Sequence, residues 1–124
     1  MENLNLPASV TTPNIKFNEE TGICEVSGES YMENSVKFYE PVFKWFNDYV
    51  EQNGSSIKLI MKLEYMNTSS MKHIYNLILL MKQIKDKGLN VEVEWHYDED
   101  EIDLEEDIND IVEESGMEIK MITI

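Results

Sequence analysis

The chain has 124 residues, enough for one domain with a single core and too few to expect a second. Hydrophobic residues at 42% exclude a disordered chain, while 25 acidic residues against 10 basic ones give a net charge of −15. That balance argues against nucleic acid and against anionic lipid, both of which are bound through clustered cations.

The single cysteine, Cys24, excludes an intrachain disulfide. Met1-Glu2-Asn3 has neither the basic nor the apolar run of a signal peptide, and no apolar stretch approaches the roughly 20 residues of a membrane span. The expectation is a cytoplasmic protein without membrane insertion.

Residues 1–12 read as a loose N-terminal arm and residues 13–124 as one domain. Asn14 to Asn18 and Ile23 to Ser27 alternate polar and apolar around Glu-Glu-Thr-Gly, the pattern of a hairpin. Val36, Tyr39, Val42, Phe43, Phe46, Tyr49 and Val50 then recur at helical spacing, with Ser30 and Glu33 placed to form a capping box and Asn53-Gly54 as a stop. Pro41 should kink this helix or mark its first turn, because it lacks the backbone donor.

Ile57 to Met66 alternates with period two and predicts a central strand. From Met71 the apolar positions Met71, Ile74, Leu77, Ile78, Met81 and Ile84 share a helical face. Val91, Val93, Trp95 and Tyr97 alternate with Glu92, Glu94 and His96 in a strand that buries one side. An acidic helix through Ile102, Leu104, Ile108, Ile111 and Val112 ends at Gly116, and Glu118 to Ile124 forms the last strand. The order β-β-α-β-α-β-α-β predicts an α/β fold: a single-domain mixed sheet of about five strands with three helices and right-handed crossovers.

Chemical motifs are sparse. His73 and His96 fall on different elements, and the Asp98, Asp100, Asp107 series lacks the glycine and the final glutamate of a calcium loop, so no metal site is expected. Cys24 sits at mid-strand without a histidine nearby in sequence, which gives no nucleophilic pair. The glycines are isolated and form no phosphate cradle. The expectation is therefore no catalytic residue and no cofactor.

Asn67-Thr68-Ser69-Ser70 stands between the central strand and the second helix. One such residue suffices to cap a helix, contributing about 1 kcal/mol. Several hydroxyls beside unpaired N–H groups and the positive helix end also suit a phosphate, so the segment reads either as a cap or as a phosphosite.

Four stretches together, Gly28 to Asn34 (GESYMEN), Phe38 to Val42 (FYEPV), Leu63 to Lys72 (LEYMNTSSMK) and Trp95 to Asp98 (WHYD), resemble the SiaC family of bacterial regulatory phosphoproteins, from about Thr12 to the acidic helix. Met32 departs from the proline that family often has there. The resemblance implies an anti-sigma-factor-antagonist (STAS)-like fold in residues 13–124. It also implies a non-catalytic signalling protein whose Thr68 is phosphorylated by a cognate Ser/Thr kinase and dephosphorylated by a PP2C-like phosphatase. The dephosphorylated form would bind an output protein, a diguanylate cyclase, and so control cyclic-di-GMP and biofilm formation. Asn67, Ser69, Ser70 and Lys72 would then adjoin the partner. Glu29, Ser30, Tyr31, Glu33 and Asn34 line that surface or cap the first helix, and His96 is the one residue of its strand placed for contact. Ser69 or Ser70 would satisfy the helix end when Thr68 is engaged. The alternative is a carrier of a small apolar ligand held between helix and sheet.

Overall fold

The computed structural model describes residues 1–52 and 54–124. Its strands are β1 (Leu4–Leu6), β2 (Asn14–Phe17), β3 (Ile23–Ser30), β4 (Ser56–Met66), β5 (Asn90–Tyr97) and β6 (Lys120–Thr123), and its helices are α1 (Val36–Glu51), α2 (Thr68–Asp86) and α3 (Ile102–Ser115). The strands form one sheet in sequence order, antiparallel from β1 to β3 and parallel from β3 to β6. Sequential order with right-handed crossovers puts successive helices on the same side of the sheet.

Alternation along the strands records this. Ile57, Leu59, Met61 and Leu63 of β4 and Val91, Val93, Trp95 and Tyr97 of β5 are buried beneath the helices. The intervening residues face the other way, where Lys62 pairs with Glu25 at 3.4 Å and Lys58 with Glu94 at 3.3 Å. Among the described residues, no helix is long and apolar enough to cross a membrane.

The sheet has six strands where about five were expected, because part of the arm is ordered. Leu4 and Leu6 pair with Phe17 and Ile15, Trp45 Nε1 donates to the Glu2 carbonyl at 2.9 Å, and the Glu19 amide donates to Asn3 Oδ1 at 2.8 Å. Three residues are too few to show a period, so the strand was invisible in the sequence.

β3 also runs further than expected, to Ser30, through an irregularity in its pairing with β4. Gly28 opposes Leu63 and Glu29 opposes Tyr65, which leaves Glu64 as an extra residue. Gly28 has φ +99°, a backbone state that glycine reaches without steric cost. This bulge brings Met66 back to the buried side and leaves Glu64 and Tyr65 exposed just before α2.

The capping box is not formed. Ser30 lies inside β3, α1 starts at Val36, and the Val36 amide donates to Asn34 Oδ1 at 3.3 Å. Pro41 lies inside α1, which continues to Glu51; the carbonyl it leaves unpaired belongs to exposed Lys37, where water can take the bond. Asn53 of the expected Asn53-Gly54 stop lies outside the described residues. The acidic helix ends with Gly116 as its C-cap, as expected.

Candidate functional site

The bulge in β3 and β4 sets the start of α2 directly against the end of β3. Asn67 is the joint. Its amide donates to the Ser30 carbonyl at 3.0 Å, its Oδ1 accepts from the Ser70 amide at 2.9 Å, and its carbonyl accepts from the Met71 amide at 2.8 Å. Its Nδ2 donates to the Met32 carbonyl at 3.0 Å, tying the β3–α1 loop to the same point. A residue engaged this fully by its own fold is a cap and a fastener.

The hydroxyls that follow point three ways. Ser70 turns inward: Ser30 Oγ donates to Ser70 Oγ at 2.7 Å, and the Tyr39 hydroxyl lies 2.7 Å from Ser30 Oγ. Since Ser30 has one proton to give, Tyr39 is the donor to it, and the three form a directed chain. Ser69 turns sideways, its Oγ 2.8 Å from Ser35 Oγ at the start of α1. Thr68 faces solvent, and its hydroxyl makes no hydrogen bond among the described residues. With Thr68 unmodified, the side-chain cap is Asn67, and the hydroxyls of Ser69 and Ser70 are both spent across elements.

Burial divides the expected contact residues. Ser30 and Ser70 are 0% exposed and are structural. Glu29, Glu33, Asn34 and Lys72 are exposed, with Asn34 occupied at the start of α1. Tyr31 is half-buried and meets Tyr65 edge to face, ring centroids 6.0 Å apart. Tyr65, three residues before Thr68, is 51% exposed, and Val36, next to the Ser35 that meets Ser69, is 59% exposed, large apolar side chains not among the residues expected at a contact surface. Tyr65 is adjacent to Met66 and Asn67; its selection needed the bulge, which nothing in the local pattern announces.

His96 does not join this group. It lies on the helix-free face of the sheet, with Nε2 3.1 Å from Glu94 Oε1. That contact, with lesser help from Lys58, holds the Glu94 carboxyl below the usual range. His73 stacks on Tyr39 at 5.5 Å, and burial, reinforced by neighbouring Lys72, lowers its pKa. Burial pushes the Tyr39 hydroxyl up to about 12, with the Ser30 contact opposing it in part. Burial also pushes the Cys24 thiol up, and its Sγ donates to the Gly22 carbonyl at 3.6 Å.

The layer where an apolar ligand would sit is filled by Tyr39, Phe46, Leu63, Ile78 and Trp95, each at most 1% exposed. A hollow of about 470 Å³, lined by Lys62, Glu64, His96 and Glu101 together with the apolar Leu63, Tyr97, Leu104 and Ile124, is open to water.

Residues 6–124 match the model of the SiaC family, described as SiaC family regulatory phosphoprotein. An uncharacterized protein of Pseudomonas aeruginosa (strain UCBPP-PA14) is 31% identical over 98 residues, 79% of this chain and 78% of that one. The structure of SiaC of Pseudomonas aeruginosa superposes with TM-score 0.91 at 26% identity over the whole of both chains. SiaC in the crystal structure of the diguanylate cyclase SiaD with its activator SiaC, from the same organism, superposes with TM-score 0.90 at 26% identity, covering 98% of this chain and 99% of that one.

Proposed function

We propose that this chain, which belongs to the SiaC family of regulatory phosphoproteins, is a non-catalytic cytoplasmic switch. Reversible phosphorylation of Thr68 controls its binding to an output protein, a diguanylate cyclase, and through it cyclic-di-GMP and biofilm formation. The SiaC of the solved complex is an activator of such a cyclase, which supports the output partner. The observation that carries the reading is the fate of the three hydroxyls. Ser70 and Ser69 are bonded within the fold, and Thr68 alone is presented to solvent at the start of α2.

In the switch, a kinase transfers the γ-phosphoryl group of a nucleoside triphosphate to Thr68 Oγ1, breaking the bond to the bridging oxygen, with the nucleoside diphosphate leaving and the hydroxyl proton released to solvent. A PP2C-like phosphatase returns the hydroxyl by hydrolysis, releasing inorganic phosphate. The phosphate adds about −1.5 to −2 charges at the start of α2, close in sequence to exposed Tyr65. A partner that buries that side chain must then pair or desolvate that charge, so the phosphorylated form binds less well without refolding.

The test is phosphosite mapping of the tryptic peptide Leu63 to Lys72 from the native host across growth states, with cyclase binding measured for both forms. Phosphate on Thr68 that varies with growth, and tighter binding by the dephosphorylated form, are expected. A peptide that is never modified, or equal binding by the two forms, overturns the reading.

A further inference from the structure

A phosphate on Thr68 has to be accommodated by the surface it lands on, and α2 supplies the means four residues later. Thr68 and Lys72 lie one helical turn apart on the same face, and both are exposed. The molecule already makes two pairs of this spacing: Lys44 to Asp48 at 2.7 Å on α1 and Lys82 to Asp86 at 2.9 Å on α2. In both, the cation precedes the anion, the weaker order. A phosphothreonine at 68 would precede its lysine, the stronger order, with the negative charge nearer the positive end of the helix.

Lys72 is also uncommitted. Lys58 and Lys62 are held by Glu94 and Glu25, whereas the Lys72 ammonium makes no ion pair among the described residues of a chain with 25 acidic side chains. The four-residue spacing belongs to Thr68; Ser69 stands three before Lys72, but its hydroxyl is taken up by Ser35 at 2.8 Å. Four residues beyond Ser69 stands His73, stacked on Tyr39, and four beyond Ser70 stands buried Ile74.

We propose that Lys72 is the intramolecular receiver of the phosphate, closing an ion pair within α2 when Thr68 is modified. The inference rests on the reading of Thr68 as the phosphoacceptor and adds what the modification does. Phosphorylation then changes two groups on the partner-facing surface: it adds an anion at Thr68 and withdraws the free cation at Lys72. Lys72 is a positioning residue in this scheme.

The experiment installs phosphothreonine at position 68 during translation, so that the result does not depend on any kinase, and follows the phosphate by phosphorus NMR titration. Against Lys72→Gln, the native chain should show an acid constant for the second phosphate proton larger by about twofold, with the difference shrinking as salt screens the exposed pair. Lys72→Arg should restore the native titration. Coincident titrations of the native and Lys72→Gln proteins, both folded by circular dichroism, overturn the inference. Failure to find phospho-Thr68 in cells is a separate result, which removes the proposed switch and leaves this titration to be judged alone.

Discussion

Ser30 Oγ donates to Ser70 Oγ across 2.7 Å, joining the last residue of β3 to the first turn of α2 with both side chains fully buried. Removing one partner strands the other in a site that water does not reach. Ser70→Ala is predicted to cost about 1–3 kcal/mol, the penalty for a buried donor left unpaired. Ser30→Ala should cost a similar amount. The double variant should cost less than the sum, since the second change removes a group already stranded. Urea unfolding of the four proteins checks this, and strictly additive losses would show that the two hydroxyls are not coupled.

Asn67 and Thr68 are neighbours with opposite duties, and substitution should separate them. Asn67→Ala loses the cap on the Ser70 amide and the tie to the Met32 carbonyl, at a predicted cost of about 1–2 kcal/mol. Thr68→Ala removes an exposed hydroxyl that makes no hydrogen bond among the described residues and should stay within about 0.5 kcal/mol of the native chain. Under the proposed switch, binding to the output cyclase should survive Thr68→Ala and lose its dependence on kinase. A loss of stability from Thr68→Ala as large as that from Asn67→Ala would make Thr68 a structural residue.

β4, β5 and the helical faces were legible because each buried side chain repeats at the period of its own element, as in Ile57, Leu59, Met61 and Leu63. Ser30 was not, because what makes a buried serine acceptable at the end of β3 is Tyr39 nine residues away and Ser70 forty residues away. The local pattern of Ser30 and Glu33 pointed to a helix cap, and tertiary contacts overrode it. His96 was correctly placed facing away from Trp95 and Tyr97, yet alternation says only which face a side chain takes, and there His96 is engaged by Glu94 and lines a hollow with Glu101 and Leu104 at the start of α3. Thr68 was singled out by resemblance; the geometry that distinguishes it from Ser69 and Ser70 exists only in the fold.

Tyr65 supplies a third prediction. Its ring is half exposed, three residues before Thr68, and braced by Tyr31, the kind of rigid amphipathic side chain that carries binding energy at interfaces. If the proposed output cyclase docks here, Tyr65→Ala is predicted to weaken binding of the dephosphorylated chain to it by more than about fivefold, corresponding to the 1 kcal/mol that separates contributing interface positions from neutral ones. Titration calorimetry with the dephosphorylated protein measures it. Unchanged affinity in a folded variant would move the contact surface away from the bulge.

The last prediction concerns alkaline pH and isolates Tyr39. Burial raises its hydroxyl from the ordinary 10.0 to about 12 in the folded chain. Below pH 10 it is protonated in both states, and its contribution to stability is fully present. As pH rises from 10 to about 12, the unfolded chain releases a proton that the folded chain keeps, so stability falls by up to about 1.4 kcal/mol per unit. Lysines titrate in the same window, so the native curve alone is ambiguous. Tyr39→Phe removes this one proton and leaves the others, so the difference between the two proteins reports Tyr39. At neutral pH the variant should be less stable by about 1 kcal/mol, because Ser30 loses the hydroxyl that donates to it. That deficit should shrink and then reverse as pH climbs through the window, measured by denaturant midpoints at a series of pH values. Parallel curves for the two proteins would mean that Tyr39 ionises as freely in the fold as outside it, and that the Tyr39, Ser30, Ser70 chain is open to water.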